Sequence, residues 1–201
     1  MTKRTLFRQV GSKRRAISWI GLIGCASLVS LVMLSGIRFF KVPSRSMEPT
    51  LYPGDFIVAR QSNDYRRGDV VVFRDPDNDA EYLVKRIVGI GGDIVEVQGG
   101  AVFLNNRYAS EPYRHSPIDY FMESYTVPEG EYFMLGDHSN SSIDSHNWGA
   151  TSSADSGDDA QKGTPRSIPA DFVIGRVVRV YLPLDRKGPI TRYPLRGMVA
   201  L

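Results

Sequence analysis

Cysteine is nearly absent from this chain, with one residue, Cys25, in 201. A single thiol excludes a disulfide framework and a cysteine metal site, and a lone cysteine inside an apolar run reads as a packing residue. An excess of charge of either sign is missing too. The 25 Lys and Arg against 22 Asp and Glu leave a net charge of +3, too even a balance for a nucleic-acid binder. Histidine is limited to His115, His138 and His146, which restricts any histidine base to three positions. Amphipathic helical stretches are missing after residue 41, and no internal repeat is visible. Lysine is the most telling scarcity. Between Lys41 and Lys162 only Lys85 occurs, while arginine is frequent.

What is present begins with one apolar run. Ala16 to Ile37, AISWIGLIGCASLVSLVMLSGI, holds 22 residues without a charge. That matches the roughly 20 residues needed to cross a bilayer core. A cleavable signal peptide has a shorter apolar region, about 7–15 residues, and a small-x-small cleavage site, which the GIRFFK that closes this run lacks. The run is therefore expected to be an uncleaved transmembrane anchor over 16–37. Lys3, Arg4, Arg8, Lys13, Arg14 and Arg15 all precede it. They predict a basic cytoplasmic segment over 1–15, with 38–201 on the extracytoplasmic face of a single-pass protein of the cell membrane.

Beyond the anchor the pattern becomes one of short alternating runs. DFIVAR (55–60), DVVVF (69–73), YLVKRIVGI (82–90), DIVEVQ (93–98), AVFLN (101–105), EYFMLGD (131–137) and FVIGRVVRVYL (172–182) read as strands, separated by turn residues as in YPGD, RRGD, GIGGD, QGG and VPEG. The expected fold class is mainly β, an all-β domain on one N-terminal transmembrane helix. Two segments resist this reading. Residues 106–124 are polar and aromatic, and fit either a long loop or an extended hairpin. Residues 150–167, ATSSADSGDDAQKGTPRS, are small and polar, and predict a solvated insertion.

Residues 41–55 read KVPSRSMEPTLYPGD, with Ser44 and Ser46 between Pro43 and Pro49. Composition alone reads such a cluster as a juxtamembrane linker. The alternative is a rigid turn that presents a reactive hydroxyl. A serine nucleophile needs a base. Residue types allow a Ser/His/Asp triad of Ser46, one of the histidines, and Asp137 or Asp144. They equally allow lysine as base, because a lysine can lose its proton whereas a guanidinium stays charged. Alternation along 82–88 puts Leu83, Lys85 and Ile87 on one face and Val84, Arg86 and Val88 on the other. If the Lys85 face is inward, desolvation lowers its pKa from about 10.4. The commoner fate of a strand lysine is to reach solvent along its stem. Arg86 cannot be discharged and must reach water or an acid.

Three segments together, PSRSMEPTL, YLVKRIVGIGGD and GDHSNSSIDSHNWG, resemble the signature boxes of bacterial type I signal peptidases in order, spacing and position after an apolar anchor. These are membrane-anchored serine endopeptidases with a Ser/Lys dyad and coiled, barrel-like antiparallel sheets. By position, the resemblance implies Ser46 as nucleophile and Lys85 as general base. It implies Ser44, with the Ser46 backbone N–H, as oxyanion hole, and Ser142 as the group that orients the lysine. Asp144 and Asp137 become supporting acids. The implied substrate cleft is lined by Phe40, Val42, Pro43, Met47, Leu51, Ile57, Leu83, Val84 and Ile143, and accepts small residues just before the scissile bond. No metal and no organic cofactor are implied. The implied partners are secretory preproteins and the lipid bilayer, with no nucleic acid. Only about eight residues separate Ile37 from Ser46, and at roughly 3.3 Å each the serine stays within about 30 Å of the bilayer.

The third box departs from the family pattern. His138 stands for the usual Asn, Ser139 for the first Arg and His146 for the second, which leaves His146 as the donor available to Asp144 or Asp137. Gly91 replaces a frequent Pro and is expected to loosen the turn after the lysine strand. Two other readings remain: a specialised peptidase maturing pilin or conjugation precursors by the same chemistry, and a non-catalytic membrane-anchored β binding module.

Overall fold

A computed structural model describes residues 35–78, 80–148, 164–195 and 197–198, with isolated positions 27 and 30. Most of the expected anchor and most of the 150–167 insertion lie outside the described residues. Among those described, no helix is long and apolar enough to cross a membrane.

The seven predicted runs each form a strand, and six further strands join them among the described residues. In chain order these are β1 (Ile37–Lys41), β2 (Phe56–Arg60), β3 (Val70–Arg74), β4 (Tyr82–Ile90), β5 (Ile94–Gln98), β6 (Ala101–Leu104), β7 (Arg107–Ala109), β8 (Met122–Thr126), β9 (Glu131–Leu135), β10 (Ile168–Pro169), β11 (Val173–Leu182), β12 (Gly188–Pro189) and β13 (Gly197–Met198). An eight-stranded sheet runs β1-β2-β11-β3-β4-β9-β10, with β12 on β11, and a five-stranded sheet runs β13-β7-β6-β5-β8. Every pairing with a resolved register is antiparallel. The expectation of an all-β domain of antiparallel sheets holds for the described residues.

Residues 106–124 are neither one loop nor one hairpin. Their ends form β7 and β8, which do not pair with each other: β7 adds to β6, while β8 crosses to the far side of β5. The polar connection between them must therefore traverse the sheet, and hydrophobic periodicity carries no signal for such a path.

β4 is the strand on which the domain turns. Val84 packs against a core built from β2, β3 and β11, whereas Leu83 and Ile87 join a second core with Val71, Phe73 and Trp148. Val88 reaches a third core between the two sheets. Both faces of β4 are thus covered along its middle, where Lys85 and Arg86 are desolvated. The turn after β4 leads directly into the second sheet. Asp93 holds that turn by accepting from Ile90 N at 2.9 Å, Asn105 Nδ2 at 2.9 Å and Arg67 Nε at 2.6 Å. Gly91 is required there by close approach and not by looseness. A Cβ on it would lie 2.9 Å from Glu129 Cα and 2.8 Å from its carboxylate.

Candidate active site

The stretch 41–55 folds as a compact turn because two of its apolar side chains have somewhere to go. Met47 and Leu51, one helical turn apart and joined by a Leu51 N–H to Met47 O bond of 2.9 Å, are buried in the β2/β3/β11 core. Val42 enters the same core, and its backbone closes the base of the turn through bonds to Asp55 and Gly54 of 2.8 and 2.9 Å. Burying these side chains fixes the backbone between them, which carries Ser46. The linker reading fails on this packing.

Ser46 is 6% exposed and Lys85 4%. Lys85 Nζ lies 2.7 Å from Ser46 Oγ. That separation serves either protonation state, since the ammonium donates to the hydroxyl oxygen and the neutral amine accepts the hydroxyl proton. Burial pushes the Lys85 ammonium below its ordinary pKa, while Asp144, then Asp137 and Asp75, pull it back up. Ser44, which is exposed, places its Oγ 3.3 Å from Ser46 Oγ. Among the described residues no histidine hydrogen-bonds Ser46 Oγ. His146 Nδ1 is committed to Asp144 at 2.6 Å, and His138 Nδ1 is buried without a partner. His115 lines a separate cleft of about 230 Å³ with Glu48, Tyr52 and His138.

The third box wraps the back of this pair. His138 N–H donates to the Ser46 carbonyl at 3.0 Å, tying the Ser46 peptide to the box. Asp144 accepts from Gly136 N at 2.8 Å, and the His146 ring that pairs with it is stacked on Tyr120 at 3.9 Å. His146 therefore supplies the donor that the sequence left open, and it supplies it to Asp144. Asp137 takes a different partner. It forms a two-pronged ion pair with Arg86, Nε to Oδ1 at 2.8 Å and Nη2 to Oδ2 at 2.6 Å, and accepts the Thr50 hydroxyl as well. Arg86 thus reaches an acid, as it must, and the rings of Tyr113 and Tyr193 cover its guanidinium at 4.0 and 5.6 Å.

The remaining expected residues divide by burial. Val42, Met47, Leu51 and Ile57 are core side chains at 0–2% exposure, so in this conformation they offer no surface to a peptide. Phe40, Leu83 and Val84 are half-buried, Pro43 is exposed and Ile143 is 60% exposed. Ser142 Oγ is buried with no hydrogen-bond partner, and a bond to Lys85 is not formed. Reasoning from the sequence missed Thr50, Gly136 and Arg114. Thr50 lies inside the first box and could have been read with it; Arg114 has no local signal at all. Gly136 has no room for a side chain, because a Cβ there would lie 2.5 Å from both Ser142 Oγ and the Ser46 carbonyl oxygen. No group of three metal-ligating side chains is found among the described residues.

Comparison with known proteins supplies the kinship of the chain. The family described as signal peptidase, peptidase S26, matches residues 15–181. The chain is 33% identical over 178 residues to a signal peptidase I of Leptolyngbya laminosa, covering 81% of this chain and 79% of that one. It is 31% identical over 188 residues to a probable signal peptidase I-2 of Synechocystis sp., with 87% and 78% covered. Against a probable thylakoidal processing peptidase 2 of Arabidopsis thaliana the identity is 36% over 180 residues, covering 84% of this chain but only 44% of that longer protein. A family match over most of the length, joined to a buried serine and lysine in hydrogen-bond contact, leaves one reading of kinship: this chain belongs to the signal peptidase family, peptidase S26.

Proposed function

We propose that this protein is a serine endopeptidase that removes N-terminal signal peptides from exported preproteins, with Ser46 as nucleophile and Lys85 as general base. The observation that carries the reading is the 2.7 Å contact between Lys85 Nζ and Ser46 Oγ, both on buried residues. Desolvation favours the neutral amine, which is the form a base requires.

In this scheme neutral Lys85 takes the Ser46 proton as Oγ attacks the scissile carbonyl. The Ser46 N–H and the Ser44 hydroxyl receive the developing oxyanion, each well-placed donor being worth about 3 kcal/mol. Lys85 returns the proton to the leaving amine, and the acyl-enzyme is hydrolysed by water with Lys85 again as base. The unpartnered Ser142 hydroxyl is the group available to orient Lys85 once its contact with Ser46 is broken. Phe40, Pro43, Leu83, Val84 and Ile143 supply the apolar surface for the residues before the scissile bond. The substrates are secretory preproteins. The apolar run 16–37 anchors the enzyme in the membrane, with its peptidase domain on the extracytoplasmic side and preproteins held by their own hydrophobic segments at the same height.

Cleavage of a preprotein by wild type, Ser46→Ala, Lys85→Ala and Lys85→His tests this. Loss of activity in all three folded variants supports the dyad. Full activity in Lys85→Ala, with loss in His138→Ala or His146→Ala, replaces it with a triad.

A further inference from the structure

The third box lacks an arginine of its own at position 139, yet a guanidinium is present there. It comes from Arg114, in the connection between β7 and β8 of the other sheet. Arg114 Nη1 donates to Ser139 Oγ at 2.6 Å and reaches the Asp137 carbonyl at 3.4 Å. The other side of the same fork is held by Glu111, Nη2 to Oε1 at 2.8 Å and Nε to Oε2 at 3.1 Å. Both side chains are nearly fully buried, at 8% and 5% exposure. The Ser139 hydroxyl spends its one proton on the Gly136 carbonyl at 2.8 Å and offers a lone pair to Arg114, so each atom has one role. Tyr113 O–H completes the clamp by donating to Glu111 Oε1 at 2.6 Å.

From these contacts we infer that Arg114 is a positioning residue for catalysis, supplied from outside the box that it braces. The inference rests on the proposed roles of Ser46 and Lys85. Asp137 and Ser139, which Arg114 Nη1 bridges, flank His138, whose N–H grips the Ser46 carbonyl. Releasing the clamp leaves the backbone on either side of that grip free to shift. A buried carboxylate held by two prongs of the fork, with a hydroxyl on a third nitrogen, is an arrangement that lysine cannot reproduce. The long traverse from β7 to β8 thereby gains a purpose, because it carries the missing cation across the sheet to the active site.

The test is steady-state cleavage of a preprotein by four variants alongside thermal unfolding. Arg114→Ala lowers kcat about 10- to 100-fold, the usual cost of a small misplacement of reacting groups, with KM within about twofold. Arg114→Lys behaves nearly as badly. The double variant Arg114→Ser with Ser139→Arg, which returns the cation to the box itself, recovers most of the lost kcat. Arg67→Met breaks a more exposed ion pair, to Asp93, away from the serine, and lowers the unfolding temperature without changing kcat. Unchanged kcat in Arg114→Ala overturns the proposal, and so does a double variant no better than the single. If Arg114→Ala fails to fold, the double variant decides alone: folded and active supports the clamp, unfolded or inactive overturns it. Retained activity in Ser46→Ala would instead defeat the dyad, and that outcome is independent of every Arg114 result.

Discussion

Arg86 and Asp137 form a two-pronged ion pair in which both side chains are wholly excluded from solvent. Its neighbour on the same strand, Lys85, is buried as deeply but hydrogen-bonds a hydroxyl. Two adjacent cations on β4 therefore meet opposite fates. The one that cannot lose its proton is given a carboxylate, and the one that can is given a serine. This division predicts that Asp137→Asn destabilises the fold by about 3–5 kcal/mol, because it strands a buried guanidinium. Chemical denaturation measures the loss.

The pH profile follows from Lys85. Its folded pKa lies below the ordinary lysine value of 10.5, so the neutral amine that the proposed base requires is present above the folded pKa and is lost as pH falls through it. Between the folded and unfolded pKa values the unfolded chain binds more protons, so stability rises with pH across that window. Asp144 is the largest of the charges that raise the Lys85 pKa. Asp144→Asn is therefore expected to move the acid limb of kcat/KM to lower pH, whatever it does to the plateau. An unmoved limb would detach Asp144 from the base.

Gly136 offers a steric test. Adding one methyl puts a Cβ 2.5 Å from the Ser46 carbonyl oxygen and from Ser142 Oγ, and the backbone must yield. Gly136→Ala is expected to cost about 1–3 kcal/mol in stability and to lower cleavage about 100-fold by displacing Ser46 from its proposed position of attack. Paired unfolding and kinetic measurements separate the two effects.

Ser142 and Ser44 separate stability from rate. The Ser142 hydroxyl is buried and unpaired, so Ser142→Ala removes an unsatisfied group and leaves stability equal or higher by up to about 1 kcal/mol. A simultaneous fall in kcat would identify it as a group that acts only during turnover. Ser44→Ala, at an exposed position, is expected to lower kcat by about 10²–10³ with no change in unfolding temperature.

Much of this was legible in the residues themselves. Short apolar runs bounded by turn residues located β2 to β6, β9 and β11 to within a residue or two, because burial of one face writes a period of two and burial of both, as in β3, writes a continuous apolar run. The scarcity of lysine singled out Lys85, and the inability of arginine to discharge demanded an acid for Arg86. Other features left no trace in local pattern. Val42, Met47, Leu51 and Ile57 look like cleft residues from their neighbourhood in the chain, but packing consumes them as core.

The sequence by itself determined seven of the strands and the one lysine between Lys41 and Lys162, since periodicity and acid–base character are properties of residues. Only the tertiary structure decided which carboxylate neutralises Arg86, which histidine serves Asp144, and that the cation at Ser139 comes from Arg114. Those are choices among chemically equivalent partners far apart in the chain, and they are settled by which side chains the sheets bring within hydrogen-bond distance in a space that water has left.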